Sequence, residues 1–142
     1  MCGFKYKASA IFIAAQRQQA SVARQRIEAT IAERHDAAVQ GANGDSNILA
    51  LIDAIERFER AKLAAIDANT DVIAEALLER GHVSSGTRDA FDAAALEVTE
   101  AQAALDATQT VVANDIEVRI RSRLDEEAAS GDEVDEEAVT VH

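Results

Sequence analysis

The stretch that decides the fold is residues 45–81, DSNILALIDAIERFERAKLAAIDANTDVIAEALLERG. At 100° per residue, Ile48, Leu51, Ile52, Ile55, Leu63, Ile66, Ile73 and Leu77 fall in an arc of roughly 120°, the signature of an amphipathic helix. Asp45 and Ser46 stand just before this periodicity and Gly81 just after Arg80, the residue types that cap the two ends of a helix. The spacing predicts a helix over about 47–80 with this arc as its core face. A second stripe, Ala54, Phe58, Ala61, Ala65, Ala68, Val72 and Ala76, widens the apolar arc to about 220°, more than a surface helix of a small bundle needs. The surplus predicts a further packing partner.

The chain has no proline, and its six glycines, at 3, 41, 44, 81, 86 and 131, divide it into three long segments and a tail. The first helix is expected over about 8–40 and the third over 88–113 or on to 129, so that 1–129 forms one helical domain. In the first, Ile13, Ala20, Ile27, Ile31 and Ala38 line one side and Ile11, Ala15, Val22 and Ala29 nearly the opposite one, as in a helix sandwiched between neighbours. In the third, Phe91, Ala94, Val98, Ala101, Leu105, Thr108 and Val112 step by three and four, the heptad period. Beyond Val112 the pattern is ambiguous. Ile116, Val118, Ile120 and Leu124 alternate with charged residues as in a strand, while Asp115 with Arg119 and Glu117 with Arg121 are helix-type acid-before-base pairs. Short connections turn the helices back on one another. The expected fold is therefore all-α: an elongated antiparallel hairpin or three-helix, coiled-coil-like bundle, followed by a disordered acidic tail over 130–142.

Of 142 residues, 48% are hydrophobic, but 31 of them are alanine, so the core is thin. No apolar run approaches the roughly 18 residues of a membrane-spanning helix. Lys5 and Lys7 before the apolar run Ala8–Ala15 imitate a signal peptide, and we read this run as the end of a packed helix. One cysteine gives no disulfide framework, and His35, His82 and His142 lie in three different elements without metal-ligand spacing. Neither cofactor, metal nor catalytic residues are expected, and the chain reads as a non-enzyme.

Charge is graded along the sequence. Residues 1–40 hold six Lys and Arg against three acids, 41–86 four against eight, and 87–142 four against fifteen, which sums to the net −12. The acidic end, DEEAASGDEVDEEAVTVH, has little to bury. Only the first helix, with Lys5, Lys7, Arg17, Arg24, Arg26 and Arg34, offers a basic face for a phosphate backbone, and it lacks aromatics for stacking on bases, so sequence-specific nucleic-acid binding is not expected.

The layout resembles the small internal core protein, or ejection protein, of short-tailed phages. The resemblance rests on the Met1-Cys2 opening, the apolar patch Ala8–Ala15 and the Gln/Ala/Arg-rich helix over 16–40. It rests also on the helical segment Ile73–Arg80, which breaks at 81–86 around Ser84-Ser85 and restarts at Thr87. It implies a structural virion component held in the capsid core above the portal, homo-oligomeric, touching other core or portal proteins. Such a protein is ejected with the genome and contributes to a channel across the host envelope, meeting the host membrane there. The competing reading is a cytoplasmic helical adaptor or assembly scaffold that recruits a basic partner through its acidic tail. Ile13, Val22 and Ile27 on the first helix and Phe58, Ala65 and Val72 on the second are the expected interaction surface between subunits.

Overall fold

A computed structural model describes the backbone of residues 2–140 and the side chains of residues 10–131. Its three helices are α1 (Cys2–Gly41), α2 (Ser46–Leu78) and α3 (Ser85–Thr140), and no strand occurs among the described residues. The all-α fold is as the periodicity predicts. Residues 116–124 lie inside α3, which settles the ambiguity in favour of helix. The expected disorder of 130–142 concerns residues that lie almost wholly outside the described side chains.

The turns follow from capping chemistry. Asp45 caps α2, its carboxylate accepting from the backbone N–H groups of Asn47 at 3.0 Å and Ile48 at 3.3 Å. Gly44, at φ 76°, and Asn43, at φ 50°, supply the left-handed backbone that reverses the chain before it. At the other end Gly81 stands one place further out than expected. Arg80 takes the first left-handed position, at φ 53°, and the Gly81 N–H donates to the Ala76 carbonyl at 2.7 Å, which closes a Schellman motif. Ser84 then caps α3: its Oγ accepts weakly from the Thr87 N–H, at 3.4 Å, and lies 2.9 Å from the Thr87 hydroxyl. Gly131, expected to mark a boundary, lies within α3.

The helices run antiparallel in sequence, with α2 in the middle touching both others. The heptad stripe of α3 is its packed face: Ala101 is wholly covered, Leu105 and Val112 are buried, and Phe91, Ala94, Val98 and Thr108 are half-buried. On α2 both stripes are partly covered. In the alanine stripe Ala61 is buried and the other six are half-buried, whereas in the isoleucine-leucine arc only Ile52 and Leu63 are buried. Ile55, Ile66, Ile73 and Leu77 are exposed. The reason is size: alanine on α2 and on the facing Ala90, Ala94 and Ala101 side of α3 lets two backbones approach closely. Ile31 of α1, itself buried, shares grooves with Ile52, Ile55, Leu63 and Ile66 of the bulky arc.

The lengths are unequal. At 1.5 Å per residue, the 33 residues of α2 span about 50 Å, the 40 of α1 about 60 Å and the 56 of α3 about 84 Å. Each outer helix therefore overruns the centre. α1 does so at its N-terminal end, where Ile11 and Phe12 are exposed while Ala10 and Ile13 are half-buried. α3 does so at its C-terminal end.

Candidate assembly surfaces and a charged clasp

The contact between α1 and α2 is thin in apolar area and rich in charge. Arg17 pairs with Asp71 at 3.4 Å, Arg24 with Asp67, and Arg34 with Glu59 at 3.5 Å. Reading down α1 is reading up α2, as antiparallel packing requires. Three of the basic residues set aside as a phosphate-binding face are thus already engaged by acids of the neighbouring helix, and the opposite net charges of the first two segments form a clasp. These pairs are largely exposed, so each contributes little alone and weakens with salt.

At the turn end of the clasp, His35 Nε2 lies 2.9 Å from Asp53 Oδ1 and 3.0 Å from Glu56 Oε2, with Asp36 3.7 Å from the other ring nitrogen. The hydrogen bond to Asp53 raises the His35 pKa above its ordinary 6.5, with help from Glu56 and Asp36 and against partial burial. Glu56 also accepts from Arg60 at 2.8 Å. His35, Asp53 and Glu56 each offer one ligand atom, all within 4.8 Å of one another, so the three are a possible donor set for a divalent ion. Spacing along the chain hides this set, since His35 stands on α1 and both carboxylates on α2. Beside it a shallow groove is lined by Ile31, Ala38, Ile52 and Ile55.

Between α2 and α3, Arg57 grips Glu97 through two hydrogen bonds, at 2.8 and 3.1 Å, which hold the Glu97 carboxyl below its usual range. Glu75 Oε1 accepts from the Ser84 N–H at 3.1 Å and so ties the end of α2 to the start of α3. Its pKa is lowered, first by the Thr87 hydroxyl and then by that of Ser84. No buried side-chain polar atom among the described residues lacks a partner.

The six residues expected to form an interaction surface fall into two groups. Val22 and Ile27 are exposed on α1, and Ile13 is half-buried. Phe58, Ala65 and Val72 are half-buried on the alanine stripe, beside the α3 contact, with the Lys62 ammonium 4.5 Å from the centre of the Phe58 ring. The structure does not join the two groups into one patch. A different line is left open on α2: Ile55, Ile66, Ile73 and Leu77 lie within an arc of about 40°, and Ile66 shares a groove with Ile27, Ile31 and Leu63. The helical periodicity assigned this arc to the core, and so did not mark the line as open.

Among the described residues no helix is long and apolar enough to cross a membrane. Comparison of the chain with protein-family models, with curated proteins and with solved structures gave no match.

Proposed function

We propose that this chain is a non-enzymatic building block of a larger helical assembly, and that the assembly is the internal core of a phage particle. One observation carries the reading: large apolar side chains stay in solvent along the outer line of α2, with Leu77 68% and Ile66 62% exposed, and at the free end of α1, with Ile11 71% exposed. Contiguous apolar surface of this kind marks an interface. Rings and layers of identical subunits cover such lines with the neighbouring copy. The resemblance of the Met1-Cys2 opening, the Ala8–Ala15 patch and the 81–86 helix break to ejection proteins supplies the finer part, a place above the portal and release with the genome. On this reading a role at the host envelope is played by assembled amphipathic helices lying on or lining a channel, not by a single spanning helix.

Fractionation of the source particles tests it. The chain should sediment with DNA-filled capsids, resist protease there, and become accessible once the DNA is released. A chain that stays protease-accessible and apart from particles rejects the virion assignment. The runner-up, an adaptor that recruits a basic partner, is favoured by one observation, the eight acids and absence of Lys or Arg in residues 125–142. Truncation before Asp125 should then abolish recruitment.

A further inference from the structure

Across the joint between α1 and α2 run the exposed ion pairs Arg17 with Asp71, Arg24 with Asp67 and Arg34 with Glu59, which water and salt weaken. The His35 cluster differs from them in that its groups converge. His35 on α1 faces Asp53 and Glu56 on α2, which stand three residues apart and so share one face of that helix. His35 and Glu56 are drawn in, with 22% and 23% of their side chains exposed, while Asp53, at 71%, stands toward solvent.

Hydrogen bonding alone leaves this cluster short of a donor. His35 Nε2 can carry one hydrogen, yet it lies 2.9 Å from Asp53 Oδ1 and 3.0 Å from Glu56 Oε2. The hydrogen bond formed is the one with Asp53. Glu56 accepts from Arg60 at 2.8 Å through its other oxygen, Oε1, so its Oε2 faces a nitrogen already committed to Asp53. A divalent ion supplies what one proton cannot, since it bonds all three atoms at once. Two ligand atoms about 2.1 Å from one ion and about 90–110° apart are separated by about 3.0–3.4 Å. Both His35 distances lie at or just under that range, and the three donor atoms are all within 4.8 Å of one another, so small side-chain rotations suffice to seat an ion. The supporting groups are in place as well. Arg60 fixes the Glu56 carboxylate, and Asp36 lies 3.7 Å from Nδ1, the side from which a carboxylate orients a ring that ligates through Nε2.

We propose that His35, Asp53 and Glu56 bind one first-row divalent transition-metal ion, of which Zn2+ is the representative, and that the ion staples α1 to α2 within a single chain. An imidazole nitrogen beside two carboxylates suits such ions better than Mg2+ or Ca2+, which take oxygen ligands. Three protein ligands leave a further position for water. The ion's part is structural: it joins two helices otherwise linked here by salt-sensitive pairs. This inference goes beyond the assembly reading and does not depend on it.

Zn2+ titration of the full-length chain, stripped with chelator, tests it by calorimetry at about pH 7.5, where proton competition for the ligands is weak. Excess Mg2+ is present to occupy the diffuse carboxylate sites of the acidic C-terminal sequence. One Zn2+ should bind per chain, and the midpoint of thermal unfolding should rise with free Zn2+. H35Q should abolish this binding and D53N and E56Q should each weaken it at least about tenfold, while H82Q leaves it unchanged. The Nε2 resonance of His35 should move on Zn2+ binding and the ring resonances of His82 should not. Circular dichroism checks that each variant keeps its helicity, and D53N, at an exposed position, carries the test should H35Q fail to fold. Absence of saturable Zn2+ binding in excess Mg2+ overturns the proposal, as does binding that survives H35Q. A stoichiometry of half an ion per chain also overturns it, because the metal then lies between copies.

Discussion

Replacing Ala101 with leucine tests whether close approach of small side chains holds α2 to α3. Ala101 has no exposed surface and lies in the packed heptad stripe with Leu105. Leucine adds three carbons. If they found empty space they would stabilise the fold by about 0.8 kcal/mol each, some 2.4 kcal/mol in all. With nowhere to go, they push the helices apart, and overpacking of this kind costs about 1–3 kcal/mol. For a chain of this size that is a fall of roughly 3–10 °C in the midpoint of thermal unfolding. The assay is helicity against temperature at one fixed protein concentration, because self-association shifts the midpoint by mass action. Ala103, exposed on the same helix, is the control, and leucine there should move stability by less than about 0.5 kcal/mol. A midpoint for Ala101→Leu equal to or above wild type would refute the close-packing argument.

Three further outcomes are expected. Arg80→Gly should stabilise the chain by about 1 kcal/mol in urea unfolding, because glycine holds the left-handed φ of 53° without the clash that Arg80 bears. Ser84→Ala should cost about 1 kcal/mol, since it strips the cap from α3 and removes a hydroxyl that stabilises the Glu75 carboxylate. The His35 clasp should depend on pH. Its folded pKa is raised by Asp53 first and then by Glu56 and Asp36, so its contribution is full below the ordinary 6.5 and is lost as pH rises through the raised value. The gap in urea midpoint between wild type and His35→Gln should therefore be open at about pH 5.5 and closed at about pH 9; a gap that widens with pH would invert the assignment.

Most of the fold was legible because it follows from local rules. Asp45, Gly44 and Ser84 stand where capping chemistry places them, and the stripe from Phe91 to Val112 is the packed face of α3. What periodicity did not reveal was which of two apolar stripes on α2 is better covered. Hydrophobicity ranks isoleucine and leucine first, but the tighter contact formed on Ala54, Ala61, Ala65 and Ala68, where small side chains bring backbones together. The bulky line from Ile55 to Leu77 was consequently left outside. Phe58, Ala65 and Val72, expected to face another subunit, are half-buried.

The charged contacts were half legible. The net charges of the first two segments, +3 and −4, already predict attraction between α1 and α2. Folding the chain about Asn43 and Gly44 brings Arg17 close to level with Asp71, but the pairs Arg24 with Asp67 and Arg34 with Glu59 lie about four and six residues off that register, so the antiparallel hairpin predicts the direction of the pairing and not the partners. His35 with Asp53 and Glu56 needed three-dimensional placement, because it depends on the angular phase of two helices as well as their direction. The overrun of α3 needed only a comparison of helix lengths, once residues 116–124 are known to be helical.

The account stands or falls on self-association. Sedimentation equilibrium of the wild-type chain, over a wide range of concentration and at low salt, measures it directly. A mass that rises with concentration from 15.2 kDa to multiples of that value is the predicted result. A single mass of 15.2 kDa throughout would contradict it, and would make the exposed line on α2 the property of an unrelated partner.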